Sequence, residues 1–142
     1  MQRGDRKRLK VIHGMMNEWL DFFDMGKTWH THVTLMDDLG GDGGDSAATA
    51  DVMVVHPYKQ ASIRLNRDVV DEMMETPLEL ETCIVHEIIH IVLSDMGKVL
   101  RKDLNTDGEM WRNYKDAEEG TAGVLAERFI GQKYGRKGGV II

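Results

Sequence analysis

The stretch CIVHEIIHIVLSD, residues 83–95, sets His86, Glu87 and His90 into a run that is otherwise almost wholly apolar. Buried imidazoles and carboxylates are costly without partners, so something must hold them there. Read as a helix, the spacing H-E-x-x-H puts His86 and His90 one turn apart on one face, where both imidazoles can bind a single metal ion. Glu87, one position round, can reach a metal-bound water without binding the metal. The corresponding chemistry is hydrolysis: zinc supplies Lewis acidity and lowers the pKa of the water, and the glutamate takes its proton. The pentapeptide occurs by chance in helices. A well-capped helix, an apolar setting and carboxylates downstream favour zinc over two core histidines satisfied by hydrogen bonds.

A catalytic zinc needs three protein ligands and an open position. No histidine follows His90, and Cys83 is the sole cysteine, so cysteine-based zinc sites and intramolecular disulfides are excluded. The remaining candidates are the carboxylates of DAEEGTAGVLAERF, residues 116–129. Ala122, Gly123 and Ala126 form a small-residue stripe beside Glu119 that would let two helices approach closely. A rotated helix would present Glu118 instead.

At these residues the chain resembles the gluzincin metallopeptidases, in which H-E-x-x-H is followed by a helix carrying the third ligand. In thermolysin-like and aminopeptidase members that helix contains Asn-Glu-Gly. Here Glu118-Glu119-Gly120-Thr121-Ala122 stands against the aminopeptidase form Asn-Glu-Gly-x-Ala. The resemblance covers two short motifs. It implies zinc held by His86, His90 and Glu119, Glu87 as general base, and a peptide or protein substrate. Gly123 departs from the thermolysin-like pattern, which has an aspartate there. Support for a zinc histidine must then come from elsewhere, and Asp95 is a nearby candidate. The order of elements is also similar to minimal zincin domains, including ImmA/IrrE-type peptidases. Some of these act in regulation, which implies a rival reading: a zinc-binding regulatory or interaction module with little general proteolysis.

The elements that must position these residues follow from periodicity. Leu9, Ile12, Met15, Met16, Trp19, Leu20 and Phe23 recur at helical spacing over 6–25, with Gly26 as a stop. TWHTHVTLM alternates, with Trp29, Thr31, Val33 and Leu35 on the inner face of a half-buried strand. DVMVV (51–55) and KQASIRLN (59–66) read as two more strands around a turn at Pro57, with Ala61, Ile63 and Leu65 inward. RDVVDEMME suggests a helical turn or two. Thr76, Pro77 and Glu79 announce the next helix, expected to run to about Gly97. A connection follows, and a last helix spans about Asp116 to Tyr134. The fold class is α+β: an N-terminal helix, a three-stranded sheet, the H-E-x-x-H helix and a glutamate-bearing helix. The resemblance makes it zincin-like, in one domain over 1–142, with an extended peptide added along the sheet edge.

The totals narrow the function further. With 142 residues, 42% hydrophobic and 30% charged, the chain can bury one core. A net charge of −6 argues against a nucleic-acid binder, and the basic start RGDRKRLK leads straight into an amphipathic helix. No stretch suits a membrane span or a signal peptide, so a cytoplasmic location is expected. Oligomeric state leaves no sequence signal.

Other signals are weaker. Cys83 reads as a small hydrophobe. His30 and His32 share a solvated strand face without a third partner for a metal. GGDGGDSAA (40–48) resembles one copy of a calcium-binding nonapeptide that works only when stacked. DLNTDG (103–108) opens like an EF-hand loop but has Tyr114 where the bidentate glutamate belongs. An oxyanion donor is expected near the zinc. Tyr114 is preferred by its proximity to the glutamate helix, over Tyr58, Tyr134 and His56.

Overall fold

The computed structural model describes residues 2–37, 50–103 and 108–135. Among them are four α-helices and a three-stranded mixed sheet: α1 (Asp5–Phe22), β1 (His30–Met36), β2 (Ala50–Val55), β3 (Gln60–Asn66), α2 (Arg67–Met73), α3 (Pro77–Asp103) and α4 (Glu109–Tyr134). A short 3-10 turn, His56–Tyr58, joins β2 to β3. The α+β class expected from sequence is therefore observed. The glycine-rich segment 40–48 and most of the 103–108 turn lie outside the described residues.

The sheet order is β1-β3-β2, with β1 parallel and β2 antiparallel to β3. Strand β3 is central, which explains why Ala61, Ile63 and Leu65 are all but fully buried. The register aligns Val33 and Val52 with Ile63 on the inner face. Asp51 and Arg64 pair on the other face, with Arg64 Nε donating to Asp51 Oδ1 at 2.7 Å. The inner face is covered by α3, whose Ile84, Ile88 and Ile91 are fully buried. Each contributes roughly 1.5–3 kcal/mol by leaving water. Together they fix the rotation of α3 and so decide where its histidines point.

Three boundaries differ from the sequence expectation. Helix α1 stops at Phe22 because the chain turns at Asp24, a residue that tolerates the left-handed region (φ 55°). Gly26 is not the stop. Helix α3 does not end at Gly97 but continues to Asp103, and α4 begins at Glu109 rather than near Asp116. Gly97 is instead where α4 crosses: a Cβ there would stand 3.2 Å from the Tyr114 hydroxyl. An interior helix glycine costs about 1 kcal/mol, which the close approach of the two helices offsets.

The N-terminal helix is tied to the sheet side by Asp5, which is buried and accepts from Arg67 Nε at 3.0 Å and Arg8 Nη1 at 2.8 Å. The Arg67 hydrogen bond holds its carboxyl below the usual carboxylate range. No helix among the described residues is long and apolar enough to cross a membrane.

Candidate metal centre

Thr76 and Pro77 open α3, and the Thr76 hydroxyl donates to Glu79 Oε2 at 3.2 Å. Two and a half turns on, His86 and His90 face α4, their rings 4.9 Å apart. Their Nε2 atoms lie 3.2 Å from each other. Glu119 spans the pair: Oε1 is 2.9 Å from His86 Nε2 and Oε2 is 2.8 Å from His90 Nε2. His86, His90 and Glu119 thus form a group whose ligand atoms all lie within 4.8 Å of one another. Tetrahedral ligation at about 2.0–2.1 Å needs ligand atoms roughly 3.3 Å apart. The observed spacings fall a few tenths of an ångström short of that, so a slight widening admits an ion. Two imidazoles and one carboxylate suit zinc, and other divalent metals as well.

The adjacent glutamate has a different task. Glu118 is buried, and its Oε1 is 2.8 Å from His90 Nδ1. A carboxylate accepts, so His90 donates through Nδ1 and keeps Nε2 as a lone-pair ligand. Burial pushes the Glu118 carboxyl up, but His90, the Tyr114 hydroxyl and Lys115 together outweigh it and hold it low. Asp95, the candidate raised from sequence for this support, lies elsewhere. Its Oδ1 is 3.2 Å from His56 Nδ1, with Lys59 at 3.8 Å from Oδ2. Gly123 lies over the other histidine: a Cβ there would sit 3.8 Å from His86 Cε1 and 3.9 Å from Nδ1.

Glu87 stands outside the ligand group, 7% exposed. Burial pushes its carboxyl up to about 7; His90 opposes this, while Glu119 and Asp51 add to it. It opens onto a cleft of about 400 Å³ whose walls come from β2, α3 and α4. Ala50, Val52 and Val54 of the sheet-edge strand face His90 and Glu119 across this space. Among the described residues β2 pairs only with β3, which leaves its outer edge unpaired beside the cleft.

Of the oxyanion-donor candidates, His56 lines the cleft. Tyr114 does not: its hydroxyl is buried beside Gly97 and against the Glu118 carboxylate. Burial, then the neighbouring Glu118 carboxylate, raises that phenol to about 12. Tyr58 is exposed, and Tyr134 donates to Glu81. His30 and His32 are exposed and belong to no metal-binding group among the described residues. Burial pushes the Cys83 thiol up to about 12, so it is an inert neighbour of the site. Sequence reasoning missed Glu118 as the partner of His90, although its position 28 residues on gave no local signal. It also missed the lining contributed by Lys98, Arg101, Trp111 and Lys115.

The chain matches no protein-family model, no curated protein and no solved structure.

Proposed function

We propose that the protein is a metal-dependent peptidase, with a zincin-like arrangement of helices and sheet and zinc as its metal. The observation that carries this reading is Glu87. It is a buried carboxyl outside the ligand group, opening on the same cleft as His90 and Glu119. A metal bound only for structure needs no such base, and would normally engage a fourth protein ligand.

His86, His90 and Glu119 would hold the ion. When bound, zinc supplies Lewis acidity to the scissile carbonyl and makes a water more acidic. Glu87 takes the proton of the attacking water and returns it to the leaving amine. Glu118 keeps His90 in the right tautomer. His56, held by Asp95, supplies a donor toward the developing oxyanion, while Tyr114 lies behind Glu118 and supports the site from the inside. The unpaired edge of β2 supports an extended peptide binding as an added strand.

The test is Glu87→Gln. The amide cannot accept the proton, so peptide cleavage should fall roughly a hundredfold or more, with zinc content and melting temperature almost unchanged. If the glutamine variant loses the metal, the division between ligands and base is wrong. If the wild type cleaves nothing in a broad peptide screen, yet a protein partner binds it equally with glutamine at 87, the regulatory-module reading replaces this one.

A further inference from the structure

The cleft does not end at the metal ligands. It continues along the last turns of α3, where Ser94, Gly97, Lys98 and Arg101 follow one helix face, and along the first turns of α4 at Trp111 and Lys115. Lys98, Arg101 and Lys115 therefore line the same cavity as Asp51, Glu87, Glu118 and Glu119. Arg101 Cζ lies 5.5 Å and Lys115 Nζ 5.9 Å from the centre of the Trp111 ring.

These cations contrast with Arg8, Arg64 and Arg67, each of which is held by a carboxylate. Arg8 pairs with Asp5 and Asp71, Arg64 with Asp51, and Arg67 with Asp5 and Asp37. Among the described residues no carboxylate pairs with Lys98 or Arg101, and Lys115 has only Glu118 at 3.7 Å, whose nearer oxygen contact is His90. Acidic side chains outnumber basic ones 24 to 18 in this chain, so partners were not scarce. Arg101 and Lys115 share one indole, where their like charges repel and an anion would relieve them.

We propose that this end of the cleft is a subsite for a substrate carboxylate, with Lys98, Arg101 and Lys115 as its donors and Trp111 as the apolar wall for the chain that bears it. The identity of the substrate as a peptide rests on the peptidase reading. The carboxylate is either an acidic side chain or the C-terminus of the peptide. The guanidinium and two ammonium groups that line this cavity would each donate to a carboxylate bound there. Charge-assisted hydrogen bonds to them favour the charged over the neutral isostere by about tenfold.

The experiment uses the full zinc-loaded chain and two matched peptide sets. One set replaces Asp and Glu by Asn and Gln at each position, and the other compares a C-terminal acid with its amide. The wild type should prefer one acidic form by about tenfold in kcat/KM, and the set in which this occurs names the source of the carboxylate. The ratio should fall to near one in Lys98→Gln/Arg101→Gln and invert toward basic peptides in Lys98→Glu/Arg101→Glu. The glutamine pair keeps the test open should charge reversal impair folding. In parallel, glutarate binding is followed by calorimetry at low and high salt, a readout that needs no hydrolysis. Binding that weakens with salt and in both variants supports the subsite even if no peptide is cut, in which case the peptidase reading fails alone. Peptides cut without any acidic preference, together with no glutarate binding, would overturn the subsite and leave the peptidase standing.

Discussion

Glu118 and Glu119 are neighbours in the chain but point about 100° apart around α4, and their side chains are 7% and 64% exposed. One meets His90 Nδ1, and the other bridges both Nε2 atoms. Their alanine variants should therefore differ in kind. Glu119→Ala, like His86→Ala or His90→Ala, is expected to abolish stoichiometric zinc binding. Glu118→Ala should keep the site but weaken it about 10- to 100-fold, the usual cost of losing the partner that orients a ligating histidine. Gly123→Asp would place a carboxylate beside His86 Nδ1 where a Cβ already fits, and should tighten zinc about tenfold. Competition with a chromophoric chelator measures all of them. Equal loss in the two glutamate variants would show that their roles are not divided.

Between elements, the decisive contact is α3 against α4, since it brings residues from 86–90 to residues from 118–119. Gly97 and Tyr114 meet within it, where the Tyr114 hydroxyl lies against the glycine. Gly97→Leu forces volume into a place where even a Cβ sits 3.2 Å from the Tyr114 hydroxyl. The variant should lose about 1–3 kcal/mol in urea denaturation and bind zinc more weakly, because α4 must move away from both histidines. Gly97→Ala should cost far less. The helix propensity it gains, about 1 kcal/mol, offsets the shift demanded of one hydroxyl. If leucine at 97 leaves both stability and zinc affinity intact, the crossing is not what sets the distance between the helices.

Across the whole molecule, α1, α3 and α4 are tied by one buried carboxylate. Glu81 Oε2 accepts from Trp19 Nε1 at 2.6 Å and from Lys133 Nζ at 2.7 Å, and Tyr134 donates to Oε1. Burial pushes the Glu81 carboxyl up, but the Lys133, Tyr134 and Trp19 hydrogen bonds outweigh it and leave it below the ordinary value of 4.5. A carboxyl lowered in the folded state binds protons more readily when unfolded, so its stabilisation is present above about 4.5 and is lost as pH falls through the folded value. Glu81→Ala should destabilise the protein by about 2–4 kcal/mol at neutral pH, since it leaves a buried indole N–H without a partner. Denaturation at pH 7 and in the acid limb should show the gap between wild type and variant narrowing as pH falls. A constant gap would show that packing, not ionisation, is what Glu81 contributes.

Local pattern was enough for much of this protein. The 3.6 and 2.0 periodicities gave α1, the three strands and α3, and the i, i+4 spacing put His86 and His90 on one face, because those relations depend only on neighbouring backbone geometry. The inward faces of β1 and β3 were legible for the same reason. What lay beyond the reach of spacing was everything that depends on residues far apart in the chain. That Gly97 is a crossing point and not a helix end, and that α4 starts at Glu109, follow from packing of the two helices, which overrides local propensity. The sheet order, with β1 parallel to β3 and β2 at the free edge, depends on pairing across dozens of residues. Asp95 looked close to the histidines by number but faces His56, while Glu118 supports His90 from another helix. Sequence supplied the chemically able residues of both helices, with Glu119 expected as the third ligand and Glu118 as its alternative. Only the tertiary structure, by fixing the rotation of α4 against α3, decided that Glu119 bridges the two histidine Nε2 atoms while Glu118 holds His90 from behind.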